Sequence, residues 1–148
     1  MKKIILILLL ILPVAISLIA YILAGFIGRE IAYVGVDRVV FNANPGGGQP
    51  SFFMGADNKI YQGPLDLGQT VDLRGRLTIH STVEGRHGRW EQLIIDIIPS
   101  NGATGDEISL NMVTGIITTN AITYGVIDIQ ISYDMRVLFT LSITNIRP

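Results

Sequence analysis

The sequence predicts an all-β domain carried on one N-terminal transmembrane α-helix. Two observations carry this reading. Residues 4–28 form an uncharged apolar run, and the remainder is Val/Ile/Thr/Gly-rich with apolar and polar residues in alternation. The chain has 148 residues, so the part beyond the apolar run is long enough for one domain with its own core.

The apolar run comes first. A bilayer core of about 30 Å needs about 20 helical residues, and 4–28 can span it with some tilt. The apolar region of a signal peptide is shorter, about 7–15 residues, and ends at a small-x-small site. The best such site is Ala15-Ile16-Ser17, and cutting there would leave LIAYILAGFIG as a new apolar terminus. Pro13 falls mid-run, where a membrane helix tolerates it because neighbours re-satisfy the freed carbonyl. The expectation is an uncleaved anchor over residues 1–28. Lys2 and Lys3 precede it, whereas Arg29 and Glu30 nearly cancel after it. The positive-inside rule then places the N-terminus in the cytoplasm and the C-terminal domain outside. Ser17, Ala20, Ala24 and Gly28 recur close to one helix face, a smooth stripe of the kind that lets membrane helices approach closely. The same spacing can arise from composition alone, because Ala and Gly are common in such helices.

Residues 29–50 read as a juxtamembrane strand and a hinge. IAYVGVDRVVF (31–41) is β-branched and aromatic, and NPGGGQP (44–50) can hold neither a helix nor a central strand. The strand pairs either within its own domain or with a neighbour's open sheet edge. Self-pairing is the expectation, since an unsatisfied edge exposes a monomer to aggregation.

Residues 51–148 form the β domain. In QTVDLRGRLTIHS (69–81), Val71, Leu73, Gly75, Leu77 and Ile79 alternate with Asp72, Arg74, Arg76, Thr78 and His80, the pattern of one half-buried strand. Further strands are expected at 90–98, 115–120, 125–133 and 136–146, joined by turn-forming EGRHG, SNGATG and TG. Short strands at this spacing with no amphipathic helix between them argue for a sandwich or barrel.

Charge excludes one partner class. After residue 28 there are nine basic and twelve acidic residues with no basic block, so nucleic-acid binding lacks its electrostatic footprint. The chain has no Cys and no Asn-x-Ser/Thr sequon. His80 and His87 have no evident third ligand to make a metal site. Asp96 and Asp128 interrupt apolar strands; they read either as an acid/base pair or, by alternation, as outward-facing residues. No phosphate loop, nucleophile elbow or dinucleotide fingerprint occurs, and neither an enzyme nor a cofactor is expected. The turn at 83–92 gathers Arg86, His87, Arg89 and the single Trp90, residue types frequent at interface hot spots. Trp90 also reads as a core tryptophan, with the arginines as solvated turn residues.

One stretch carries a family resemblance. GDEISLNMVTGIITTNAITYGVIDIQISYD (105–134) resembles the second half of cadherin-like and putative Ig repeats, with Ser109-Leu110-Asn111 and Thr114-Gly115-Ile116-Ile117 at the matching positions. The resemblance implies an Ig-like Greek-key β-sandwich of about seven strands. Asp134 falls near one calcium-ligand position of that family, but the acidic linker motif is missing, so calcium is not expected. The layout, a hydrophobic N-terminal helix before a β head, is also similar to archaeal pilins and archaellum stator proteins. Pilins carry a basic residue and Gly just before the hydrophobic stretch, whereas here Lys3 runs directly into Ile4.

These readings combine into a single-pass membrane protein, a non-catalytic structural or accessory subunit of a membrane or cell-envelope assembly. Its partners are membrane lipid and other membrane helices, in a homo- or hetero-oligomer. The alternatives are a filament subunit and a surface module binding carbohydrate or peptide.

Overall fold

The computed structural model describes residues 2–31, 34–43 and 52–148, and within the first stretch the side chains of residues 3–23. It divides into two units, Met1–Tyr33 and Val34–Pro148. The first is α1 (Lys2–Ile31), continuous through Pro13. Its segment Lys3–Leu23 is long and apolar enough to cross a membrane, and none of that segment is covered by protein. The glycine-rich segment 44–50 lies outside the described residues.

Among its described residues the second unit has eleven strands: β1 (Val36–Phe41), β2 (Phe52–Met54), β3 (Ile60–Gln62), β4 (Leu65–Asp66), β5 (Thr70–Asp72), β6 (Leu77–Ser81), β7 (Ile94–Ser100), β8 (Ile108–Asn111), β9 (Ile116–Thr119), β10 (Thr123–Tyr133) and β11 (Arg136–Arg147). They form three sheets. The largest runs β2-β3-β11-β10-β7, with β4 beside the end of β11; the second runs β5-β9-β8; the third pairs β1 with β6. β3 and β4 run parallel to β11, and every other pair is antiparallel.

The long hairpin β10–β11 supplies the floor of the core. Strict alternation buries Ile127, Ile129 and Ile131 and turns Asp128, Gln130 and Ser132 to the other face. Opposite them, Ile143 pairs with Ile127 and Leu141 with Ile129. Val71, Ile108 and Ile117 of the second sheet join this cluster, as do Val36 and Ile79 of the third, together with Leu73, Trp90 and Leu93. Each such side chain contributes about 1.5–3 kcal/mol by leaving water. Aromatic contacts fasten β1 across sheets: the Phe41 ring lies 4.9 Å from that of Phe52 and stacks at 5.2 Å on that of Phe139. The expected 31–41 strand is shorter than the sequence suggested: α1 continues through Arg29 and Glu30 to Ile31, and only Val36–Phe41 form β1, which pairs with β6 of the same chain and buries Val36 almost fully.

Two expected strands differ in a way the sequence pattern conceals. The 69–81 strand breaks into β5 and β6, separated by one helical turn, α2 (Leu73–Arg76). Asp72 makes the break: its carboxylate accepts the backbone N–H of Gly75 at 2.8 Å, an N-cap bond that competes with a continuing ladder. The N–H groups of Leu73 and Arg74 both turn to the Gly115 carbonyl, at 3.0 and 3.3 Å. Val71, Leu73 and Ile79 are buried on either side of the corner, so their spacing hides the change of sheet, whereas Gly75 at the corner itself is exposed and Leu77 only half-buried, against the expected alternation. Likewise the 90–98 strand opens with a 3-10 turn, Trp90–Gln92, before β7 begins. There the Gln92 side chain accepts the Arg89 N–H at 2.8 Å.

Gly115 takes a left-handed backbone (φ 72°), and a Cβ there would collide with the Arg74 Cβ. Gly115→Ala should cost about 1–2 kcal/mol for the backbone conformation alone, and more for the collision. Asp72→Ala should cost about 1 kcal/mol through the lost cap. Melting of the full chain in detergent, followed by Trp90 fluorescence, checks both; a Gly115→Ala midpoint equal to wild type refutes the corner as described.

Candidate functional site

The sequence nominated a turn and a helix stripe. Around the turn, β6 acquires a short antiparallel neighbour: Gly88 donates to the Ile79 carbonyl at 2.9 Å, and His87 stands opposite His80 in an isolated bridge. The two histidines are thus adjacent, but among the described residues no group of three or more His, Cys, Asp or Glu converges to hold a metal. Past Gly88 the chain leaves β6, and a cleft of about 380 Å³ opens between β6 and the 3-10 turn. His87, Arg89 and Trp90 line it, as do Leu77, Thr78, Ile79, Arg74 and Glu91. Arg86 is exposed and does not line it; its carbonyl accepts the Ser81 N–H at 3.4 Å.

Trp90 is only 5% exposed, and its indole N–H donates to the Met112 carbonyl at 2.7 Å. That bond satisfies its one polar atom, as a buried indole requires. The cleft rim is held by Arg74, which donates to the Val113 carbonyl at 2.6 Å and pairs with Glu91 at 3.2 Å. Arg74 and Glu91 lie 17 residues apart. Only the α2 corner brings them together, so no local sequence signal could have found this pair. On α1, Ser17 and Ala20 are exposed; the side chains of Ala24 and Gly28 lie outside those described.

A second cluster went unnoticed in the sequence. It lies on the face of the large sheet opposite the core, where register aligns Phe53, Tyr61, Ser142, Asp128 and Ile98 in one row across five strands. Asp128, its side chain 16% exposed, accepts from Lys59 Nζ at 2.8 Å and from Ser142 Oγ at 2.5 Å. Asp96 faces Gln130, two positions along from the Asp128–Ile98 pair. Tyr61 donates its hydroxyl to Asp57 at 2.7 Å and stacks on Phe53, ring centres 5.4 Å apart. The hydrogen bond from Tyr61 holds Asp57 below the usual carboxylate range, and the same bond raises the Tyr61 phenol. Asp128 likewise raises Lys59, first by the hydrogen bond and then by its charge.

That shift fixes the sign of the pH dependence. A lysine raised in the folded state stabilises it fully below the ordinary lysine value, and the contribution disappears as pH rises through the raised value. Lys59→Met should therefore lower the melting midpoint at neutral pH by the equivalent of about 1 kcal/mol or less, given its partial exposure. It should also flatten the alkaline arm of a midpoint-against-pH profile relative to wild type. Parallel alkaline arms would show that the Lys59–Asp128 pair contributes nothing.

No family model, no curated protein and no solved structure matches this chain.

Proposed function

We propose that this chain is a non-catalytic subunit of a membrane or cell-envelope assembly, anchored by α1 and making protein contacts through its β unit outside the membrane. The observation that carries the reading is the uncovered apolar surface of α1 from Lys3 to Leu23. Each large aliphatic side chain there loses about 1.5–3 kcal/mol if left in water, so bilayer and partner helices are its natural cover. The β unit adds no cluster of metal-ligating side chains among the described residues. Lys2 and Lys3 before the apolar run favour a cytoplasmic N-terminus.

The finer fold reading is an Ig-like Greek-key sandwich. Its support is the way the chain changes sheet between β4 and β5, between β7 and β8, and again between β9 and β10, while residues of both larger sheets meet in one core. The strand–turn–strand β8–β9 coincides with the stretch that resembles cadherin-like repeats. A second reading has one observation in its favour. The Phe53–Tyr61 stack leaves Phe53 56% exposed, an aromatic platform of the sort that a surface module for carbohydrate would use.

The full chain, extracted in mild detergent and weighed by light scattering, tests the subunit reading. A particle containing more than one polypeptide is expected. Ala20→Leu, on the small-residue stripe, should shift it toward smaller species, whereas Ile22→Leu should not. Open-ended polymers would favour the filament alternative, and one chain per micelle in every preparation would remove the subunit reading.

A further inference from the structure

β7 ends the large sheet on one side, and among the described residues only β10 pairs with it. The other side of its backbone is a row of N–H and C=O groups with no strand beside them, a template for another extended chain. The opposite end of the same sheet is β2, three residues long, and the second sheet ends in β5 and β8, of three and four. Short edges of that kind recruit little. β1 is longer, but its register shifts between Val36 and Arg38, and Arg136 already donates to the Asp37 carbonyl at 2.6 Å. β7 pairs with β10 over seven residues without a register shift.

Its side chains are equally uncovered. Ile97 stands opposite Ile129 in a core-facing row, yet Ile129 is fully buried and Ile97 is 37% exposed, because the sheet ends there. On the outer face Ile94 and Ile98 are 56% and 42% exposed. An edge open along its backbone and on both faces fits an extended polypeptide, which satisfies backbone and side chains together.

The sequence of β7 says which polypeptide. Asp96 is its one charge. Two copies of β7 laid antiparallel about a two-fold axis at Ile97 set Ile97 against Ile97, and each Asp96 against Ile98 of the other copy. Cross-strand neighbours share a face, so the two core-facing Ile97 side chains cover each other. An axis at Asp96 would instead put two carboxylates directly opposite, which is unfavourable. An axis at Ile95 would need Gln92 and Leu93 to continue the strand. Gln92 belongs to the 3-10 turn, however, and Leu93 donates to the Trp90 carbonyl at 3.1 Å. An axis nearer Pro99, which has no N–H to give, would shorten the pairing.

We propose that β7 is a homodimer interface, in which β7 of a second copy pairs with it antiparallel about Ile97 and joins the two large sheets into one. The same patch serves both copies, so the contact closes at two chains. This deepens the subunit reading by naming one partner, a second copy of this chain.

The chain has no native cysteine, so single cysteines report proximity without background. Ile97→Cys is made in the full chain and extracted in mild detergent. Tyr124→Cys, 82% exposed on β10, is the control for chance collision. A further sample co-expresses Asp96→Cys and Ile98→Cys copies, beside each expressed alone. Directly opposed residues of an antiparallel pair have Cα atoms about 4.5–5.5 Å apart, within disulfide range. Emission of the buried Trp90, unchanged from wild type, confirms that each variant is folded. After mild oxidation, disulfide-linked dimer at 97 should exceed that at 124 several-fold, and the mixed 96/98 sample should exceed either variant alone. A yield at 97 no higher than at 124, in a particle that still holds more than one polypeptide, overturns the β7 contact and leaves the subunit reading standing. One chain per micelle overturns both. Asp96→Cys alone crosslinking better than the mixed sample overturns the pairing about Ile97.

Discussion

The pairing of β10 with β11 is the constraint from which the β unit is built. Two long antiparallel strands in register present one face of Ile127, Ile129, Ile131, Leu141 and Ile143, all fully buried. A one-residue slip would send that whole set to the opposite face and bring Asp128 and Gln130 inward. The rest of the large sheet and the second sheet add to this pair. β7 extends it beyond β10, β3 and β4 run parallel along β11, and the second sheet contributes Val71, Ile108 and Ile117 to the same core. Leaving water to complete this face outweighs the entropy cost of bringing distant segments together.

Because the face is shared among segments far apart in sequence, the corners between sheets matter as much as the strands. At residues 72–76 a cap by Asp72 and two bonds to one carbonyl, that of Gly115, rotate the chain from the second sheet into the third. Arg74 leaves the corner pointing at Glu91 and the Val113 carbonyl, and the cleft beside Trp90 exists only because of this turn. The same feature thus fixes a fold junction and shapes the polar cleft beside the 83–92 loop.

How much of this was legible in the sequence depends on the range of the signal. The helix, β10, β11 and the outward placement of Asp128 come from local period and composition, and these were readable. Glu107 illustrates the opposite case. It is almost buried at the start of β8, and its carboxylate accepts the N–H groups of Thr104 and Gly105, at 2.9 and 2.7 Å. The bond from Thr104 is the leading reason that its acid stays below the usual range. Nothing in SNGATGDE distinguishes that acid from Asp106 next to it, which is exposed. β2, β3 and β4 are two or three residues long, too short for alternation to register, and β3 and β4 are held by β11. The row Phe53–Tyr61–Ser142–Asp128–Ile98 needs the pairing of five strands before it exists at all.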